Sequence, residues 1–395
     1  METGEVPTQM KAEPCLSRTG LRYQYPVYAA VKCALLLAPG LLIAWIAAMA
    51  LLAGWRAAVI LAVPIALPAV PAIIVLRRLY VRWTCLGPEC RRLLEIRPKG
   101  IDYTSRKLGP YPYPYEKTAP HRDEEAIVEW RYPGRAPLRA TTIISQYALT
   151  LWGKLCYKDD PDIRADFLRH ADALVARQTL GDPHDGCWLQ EHKQDYYWPH
   201  EVPYASAMCQ AQGISVLLRA HQITGHERYL QACQRAMLIF EKSVAGGGVR
   251  SDYPDGKVFF EEYCLSPFYS HTLNGLIYTL IGLEEMARVT DHPRARHWYE
   301  RGVETLARPQ VLDRYDLGYA STYDQLPSRL LAYDYHAVHC CLLMCLFDMT
   351  GREVFKETAE RWLAYTDDRA CRVRLFVHIL SAKGVSGAWR TRLDP

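Results

Sequence analysis

One asparagine, Asn274, stands in a chain of 395 residues, and because Gly275 and Leu276 follow it, the sequence carries no N-x-[ST] glycosylation acceptor. An excess of either charge is lacking too. Lys and Arg number 47 against 43 Asp and Glu, a formal +4 spread along the chain, which is too little to suggest a grip on nucleic acid. No regular disulfide framework appears: the 13 cysteines are odd in number, and Cys340 and Cys341 are adjacent and poorly placed to pair. Cys85 and Cys90 are too widely and singly spaced for a zinc site, so neither a metal nor another cofactor is expected. Phenylalanine is scarce, at 8, whereas tyrosine reaches 26 and tryptophan 10. Aromatics at that density line ring-binding grooves or fill helical cores, and abundance alone does not choose between them.

What is present begins with two long apolar runs. Residues 1–26 read as an N-terminal tail and 27–80 as a membrane hairpin. Within it Ala34 to Ala53 and Ala57 to Leu76 carry no charge, and each is near the ~20 residues that cross a hydrocarbon core. Pro64, Pro68 and Pro71 bend the second run. Lys11, Arg18 and Arg22 precede the first run and Arg77, Arg78, Arg82, Arg91 and Arg92 follow the second, whereas the turn between them holds only Arg56. That asymmetry places both ends, and the domain that follows, on the cytoplasmic side of an integral membrane protein. The alternative is a lumenal or periplasmic domain.

Residues 81–139 form a Pro- and Tyr-rich connector. Its stretch "GPYPYPYEK", Gly109 to Lys117, is expected to be extended, because each proline restricts the residue before it. Tyrosine alternating with proline so close to a folded domain favours packing against that domain over a role as a ligand for another protein.

From Ala140 the apolar period becomes helical, over Thr142 to Leu155, Ile163 to Gln178, Ser206 to Gly225, Arg228 to Val244, Leu273 to Arg288, Ala295 to Ala307, Tyr335 to Met349 and Val354 to Tyr365. "ITGHERYL", "VTDHPRARHWYERG" and "MTGREVFKETAERW" each close one helix at Gly or Asp and open another, the cadence of helical hairpins. The connections Gly181 to Tyr204, Ala245 to Phe268 and Pro309 to Asp334 are too long for minimal solenoid turns. They favour a mostly α fold, an (α/α) barrel or toroid over 140–366 with a pocket lined by long loops at one end. In the second loop, Gly246 to Tyr263 alternates apolar and polar residues around Asp255-Gly256, a β-hairpin signal whose returning strand delivers "EEY" to the pocket edge. Residues 367–395 read as a C-terminal tail.

Seven stretches in order, "SAMCQAQGISVLLRAHQITG", "EEY", "LNGLIYTLIGL", "YERGVETL", "STYD", "DYHAVH" and "VFKETAERWLAY", resemble the C-terminal catalytic domain of the D-glucuronyl C5-epimerases, which act on heparan-type polysaccharides. The resemblance covers roughly Ala140 to Thr366. It implies an (α/α) barrel and a site served by Tyr263 in "EEY", Tyr323 in "STYD", Tyr335 in "DYH", and Glu262. It also implies a uronic-acid-containing polysaccharide as partner and allows a homodimer. The animal members work in the Golgi lumen, which stands against the cytoplasmic orientation read from the charges.

The chemistry asks for such groups. Inverting C5 of a uronate removes a proton beside a carboxylate and returns one to the opposite face, so two proton carriers must flank the ring. A phenol, with an ordinary pKa near 10, has to fall by about 3 to ionise at neutral pH. Donors must also steady the substrate carboxylate as C5 gains carbanion character. Candidates for binding are His336 and His339, which share one face at a helix start, Gln210 and Gln212 on one turn, and Asn274, whose amide is expected to bond the "EEY" loop and fix Tyr263.

The chain also departs from the family. Only about two dozen residues separate "QY" at Gln146-Tyr147 from "ADALVARQ", where animal members carry a β-rich module, so that module and its calcium site are not carried over. After "STYD" the family has leucine and arginine, but Gln325, Leu326 and Pro327 stand here, which leaves Arg329 as a substitute for the arginine. The expected function is a membrane-anchored uronic-acid C5-epimerase acting on a polysaccharide or lipid-linked oligosaccharide. The alternatives are a lyase working by β-elimination and a catalytically silent sugar-binding or scaffold subunit.

Overall fold

Hairpin punctuation decides how the helices pair. In the computed structural model, which describes residues 84–119, 121–131, 136–181, 183–191, 202–264, 269–326 and 335–378, helix α1 (Thr141–Tyr157) packs on α2 (Pro161–Ala176), α3 (Ala207–Thr224) on α4 (Glu227–Ala236), α5 (Leu273–Thr290) on α6 (Pro293–Leu306) and α8 (His336–Thr350) on α9 (Glu353–Tyr365). A short α7 (Pro309–Asp313) follows α6. Residues from Leu86 onward fold as a unit of their own.

Local chemistry sets the breaks. Asp160 caps α2 by accepting from the backbone N–H groups of Asp162 and Ile163, with Pro161 in the first turn. Helices α3, α5 and α8 end at Gly225, Asp291 and Gly351, all in the left-handed region, the conformation that stops a helix and turns the chain back. The helix expected over Arg228 to Val244 is shorter than its apolar period suggests: α4 stops at Ala236, and Met237–Glu241 tightens into a 3₁₀ turn leading to the hairpin.

Within this set α1, α3, α5 and α8 form an inner row, each packed on the next, and α2, α4, α6 and α9 lie outside it. The inner helices α3 and α5 are buried on almost every side, whereas α4 and α6 bury one face. A Cβ on Gly282 would sit 2.5 Å from the Ala211 carbonyl oxygen, so α3 and α5 approach as closely as they do only because that residue is glycine. The arrangement is mostly helical and of the (α/α) type, with one two-stranded antiparallel hairpin. In it β1 (Arg250–Tyr253) pairs β2 (Lys257–Phe260) around Asp255 and Gly256, both at positive φ.

The connector packs onto the inner row. Gly109 accepts from the Trp152 indole of α1 at 2.8 Å, and Leu108 exchanges two backbone bonds with the Gln222 amide of α3 at 2.6 and 3.0 Å. Pro112 accepts from Cys345 of α8, and Tyr113 packs edge-on against Tyr278 of α5. Beneath Tyr111, Arg219 and Glu285 form a buried bidentate pair at 2.8 and 2.6 Å. Apart from Tyr278, in the second turn of α5, these contacts fall in the later turns of the inner helices, so the connector runs along the row from its C-terminal end toward the end the loops share.

Among the described residues no helix is long and apolar enough to cross a membrane. The two apolar runs of the expected hairpin lie outside the described residues, as do Arg329 and residues 379–395 of the expected tail.

Candidate active site

Strand β2 runs into Glu261 and Glu262, and because successive side chains of an extended segment point to opposite sides, the two carboxylates part. Glu261 is fully buried and structural. Its carboxylate accepts from Ser251 at 2.6 Å and from the His271 backbone at 3.0 Å, and pairs with the His271 ring at 2.7 Å. Its own peptide groups bond Val249 and Ala207, tying the hairpin to the start of α3.

Glu262 turns the other way, onto the first turn of α5. Asn274 Nδ2 donates to its Oε2 at 3.0 Å, and Tyr323 donates to its Oε1 at 3.3 Å. Gly275 makes room, since a Cβ there would lie 2.6 Å from the Glu262 Cβ. The "LNG" of the sequence is thus a carboxyl cradle: an amide to hold the carboxylate and a missing side chain to admit it. The Glu262 hydroxyl or carboxylate is cut off from water, and that burial pushes its pKa up to about 7 despite the phenol and amide donors that favour the ionised form; the neighbouring Glu261 charge adds to the rise.

Tyr263, Tyr323 and Tyr204 form one buried cluster, and the Tyr263 and Tyr323 hydroxyls lie 3.1 Å apart. Tyr323 is held by its own backbone, whose carbonyl accepts from Leu273 at 3.2 Å, so the "STYD" segment is docked on the start of α5. Burial and the Glu262 charge drive the Tyr263 phenol well above its ordinary range. The expected lowering of a phenol pKa is therefore corrected for Tyr263, and the group poised near neutrality is Glu262. Tyr335 sits edge-on to Tyr323, ring centroids 4.9 Å apart, and is 40% exposed, unlike the other two.

The remaining sequence candidates divide. Gln210 is a structural clamp: its amide oxygen accepts from the Trp188 N–H at 2.9 Å, and its amide nitrogen donates to the Trp188 and Ser206 carbonyls. Gln212, on the same helix, donates to the Tyr115 hydroxyl at 2.6 Å and leaves its amide oxygen without a partner. His336 uses both ring nitrogens, on the Ser321 backbone N–H and on the Trp362 carbonyl, each at 3.0 Å, and burial brings its pKa down to about 4. It is a core histidine rather than a substrate contact. His339 bonds the Ser321 hydroxyl through Nδ1 at 3.0 Å and keeps Nε2 without a partner, its pKa held well below the ordinary range by burial and by His336. Asn274 likewise has a bare oxygen, Oδ1.

Sequence reasoning missed Tyr204, which follows the first long loop and packs on Tyr263 with ring centroids 6.3 Å apart. Its place at the end of an aromatic-rich loop, just before the α3 cap, was the available signal. Among the described residues, Cys90, His336 and Cys340 bring candidate ligand atoms within 4.8 Å of one another. Both His336 nitrogens are already bonded and the thiols are packed together, with Cys340 pushed up by its bond with Cys90 and by burial, so the trio is core packing.

Residues 185–364 match the family model for the D-glucuronyl C5-epimerase C-terminus. The chain is 35% identical over 178 residues to D-glucuronyl C5-epimerase of Caenorhabditis elegans, covering 40% of this chain and 28% of that one. It is 28% identical over 162 residues to the uncharacterized protein MJ1128 of Methanocaldococcus jannaschii, covering 40% and 51%. Of solved structures, unsaturated glucuronyl hydrolase from Bacillus sp. GL1 aligns with a TM-score of 0.40 at 15% identity, over 57% of this chain and 62% of that one. The chain thus spans 28% and 51% of the lengths of the two curated relatives.

Proposed function

Residues 185–364 belong to the D-glucuronyl C5-epimerase C-terminal family, and from that premise we propose that the protein is an isomerase that inverts C5 of a uronic acid within a polysaccharide or lipid-linked oligosaccharide. The observation that carries this reading is the chain of groups Tyr263, Tyr323 and Glu262, hydroxyls 3.1 Å apart and the second 3.3 Å from the carboxyl. Two phenols within hydrogen-bond reach of each other cannot stand on opposite faces of a sugar ring, so they act as one proton carrier. Tyr335, which flanks Tyr323 and is open to solvent, is the second.

In the forward step the C5–H bond breaks and its electron pair stays on carbon, delocalised into the substrate carboxyl. The proton goes to the Tyr263 oxygen as the Tyr263 proton moves to Tyr323 and the Tyr323 proton to the ionised Glu262. Tyr335 then gives its proton to C5 from the other face and is reprotonated from solvent. Glu262, with a pKa near 7, takes or yields a proton at little cost, which a buried phenol alone could not do. The four inner helices read as the inside of an (α/α) toroid, with the site at the end the loops share.

The membrane part of the reading rests on sequence. The two uncharged runs within 27–80 anchor the protein as a hairpin, and the Arg and Lys asymmetry puts the domain on the cytoplasmic side. A chain starting near Arg91 that still sedimented entirely with membranes would contradict the first point. Protease access from the opposite side of sealed vesicles would overturn the second.

The activity is tested by incubating the full chain with uronate polymers in deuterated water. Epimerisation incorporates solvent hydrogen at C5 and leaves the chain length unchanged. An ultraviolet-absorbing unsaturated sugar would show a lyase instead, and neither product would leave a sugar-binding subunit.

A further inference from the structure

Three side chains on neighbouring inner helices share one peculiarity. Each has one polar atom pinned by the protein and the other buried without a partner. Gln212 on α3 is held through Nε2 by Tyr115, Asn274 on α5 through Nδ2 by Glu262, and His339 on α8 through Nδ1 by Ser321, while Gln212 Oε1, Asn274 Oδ1 and His339 Nε2 have no hydrogen-bond partner among the described residues. All three residues lie in the first two turns of their helices, at the end that carries Tyr263, Tyr323 and Tyr335. Buried polar atoms are usually met by protein, ordered water or a ligand, and what sets these three apart from the other bare atoms of the fold is that each has its direction fixed at the end that carries the site tyrosines.

The direction of the His339 bond settles what that atom offers. His336 donates through Nε2 to the Trp362 carbonyl, so its Nδ1 is a lone pair, already met by the Ser321 backbone N–H. The Ser321 hydroxyl lies 3.0 Å from Nδ1 of both histidines; with the His336 lone pair already met by the backbone N–H, the arrangement that satisfies both rings gives the hydroxyl proton to His339 Nδ1 and leaves the His339 proton on Nε2 as a donor. Gln212 Oε1, by contrast, is an acceptor. It owes its direction to Tyr115, which stacks on Tyr278 with ring centroids 5.7 Å apart, one turn along α5 from Asn274. Tyr115 belongs to the connector, outside the residues 185–364 that match the family.

We propose that Gln212, positioned by Tyr115 of the connector, and His339, positioned by Ser321, form a sugar-binding subsite beside the tyrosine–carboxyl chain, Gln212 accepting from a ring hydroxyl and His339 donating to a uronate carboxylate. The subsite rests on the epimerase reading for its choice of sugar, and it supplies a donor for the acid group in a chain that has Gln325, Leu326 and Pro327 where the family has leucine and arginine. Tyr115 and Ser321 are positioning residues that touch no substrate.

Equilibrium binding of an alternating glucuronate–N-acetylglucosamine octasaccharide to the full chain tests this apart from turnover, alongside the same oligosaccharide with its carboxylates reduced to alcohols. Tyr115→Phe keeps the ring packing and removes the acceptor that orients Gln212. It and Gln212→Leu should each weaken binding about tenfold, the loss of one hydrogen bond, and raise KM with kcat little changed. His339→Leu should abolish the preference for the carboxylate form over the reduced one, and His339→Gln, which keeps a donor, should restore part of it. Thermal unfolding checks that each variant folds. If the wild type binds the octasaccharide and Tyr115→Phe, Gln212→Leu and His339→Leu bind it equally well, or if the wild type binds no uronate chain, the subsite is wrong. A wild type that binds with these dependences yet exchanges no C5 hydrogen would sink the epimerase reading and leave the subsite standing.

Discussion

Two clusters of tyrosine line the inner helix row, and they differ in what they surround. Under the connector Tyr111, Tyr113, Tyr115 and Tyr278 pack ring on ring, with centroids 4.9 to 5.7 Å apart, and the charged groups nearby, Arg219 and Glu285, pair with each other. At the N-terminal end Tyr263 and Tyr323 converge on a carboxyl held by an amide and two phenols, with no cation among the described residues in its hydrogen-bond shell. Burial raises the phenol pKa in both clusters. The tyrosines are therefore not what distinguishes the site. A buried carboxyl without an ion-pair partner among the described residues, its pKa raised by burial to about 7, is.

The sharpest way to break that comparison is to remove the carboxyl charge or a relay hydroxyl. Glu262→Gln, Tyr263→Phe, Tyr323→Phe and Tyr335→Phe keep volume and ring packing, and each should lower C5 exchange by on the order of 10² to 10⁴ while the fold survives. If all three phenylalanine variants exchange at the wild-type rate, the assigned site is wrong. The neighbouring acid should behave in the opposite sense. Glu261→Ala leaves the His271 and Ser251 donors buried without their acceptor, so denaturant unfolding should show a loss of roughly 3–5 kcal/mol, whereas Glu262→Gln should show no such loss.

A third test uses pH. Because proton abstraction needs Glu262 ionised, kcat/KM should rise about tenfold per unit up to pH ~7 and then level, and this limb should vanish in Glu262→Gln. Stability should move the other way. The folded protein keeps the Glu262 proton up to about 7, while the unfolded chain releases it near 4.5. Between those values the folded state binds more protons, and stability falls as pH rises through the window, by about 3 kcal/mol. His336 opposes it: the unfolded chain takes a proton near 6.5 that the folded state refuses until about 4, so that contribution is lost as pH falls. Comparing wild type with Glu262→Gln cancels the histidine and isolates the carboxyl. The smallest effect belongs to Tyr299→Phe, on outer helix α6, which should leave exchange within about twofold of wild type.

The local parts of this molecule were legible. A 3.6-residue apolar period, the breaks at Gly225, Asp291 and Gly351, and the Asp255-Gly256 turn each depend on groups a few residues apart, and apart from the early end of α4 at Ala236 the helices and hairpin lie within a few residues of where those signals put them. The "EEY", "STYD" and "DYH" stretches were legible as motifs. Which member of each polar pair faces the site was not. Gln210 and Gln212 lie two residues apart on α3, and one is consumed by Trp188 while the other reaches the connector. His336 and His339 share a helix turn, and Ser321 and Trp362 close off the first but only half of the second.

By itself, then, the sequence determined the helical hairpins, their punctuation and the residue types the chemistry needs, because those follow from contacts within one or two turns. The family resemblance already singled out Glu262, but only the tertiary structure decided what surrounds it and raises its pKa, since its partners Asn274 and Tyr323 arrive from 12 and 61 residues away. It likewise brought Tyr115 of the connector to Gln212, 97 residues on. A pKa and a hydrogen-bond direction are set by what surrounds a group in space, and that is fixed only when distant segments pack.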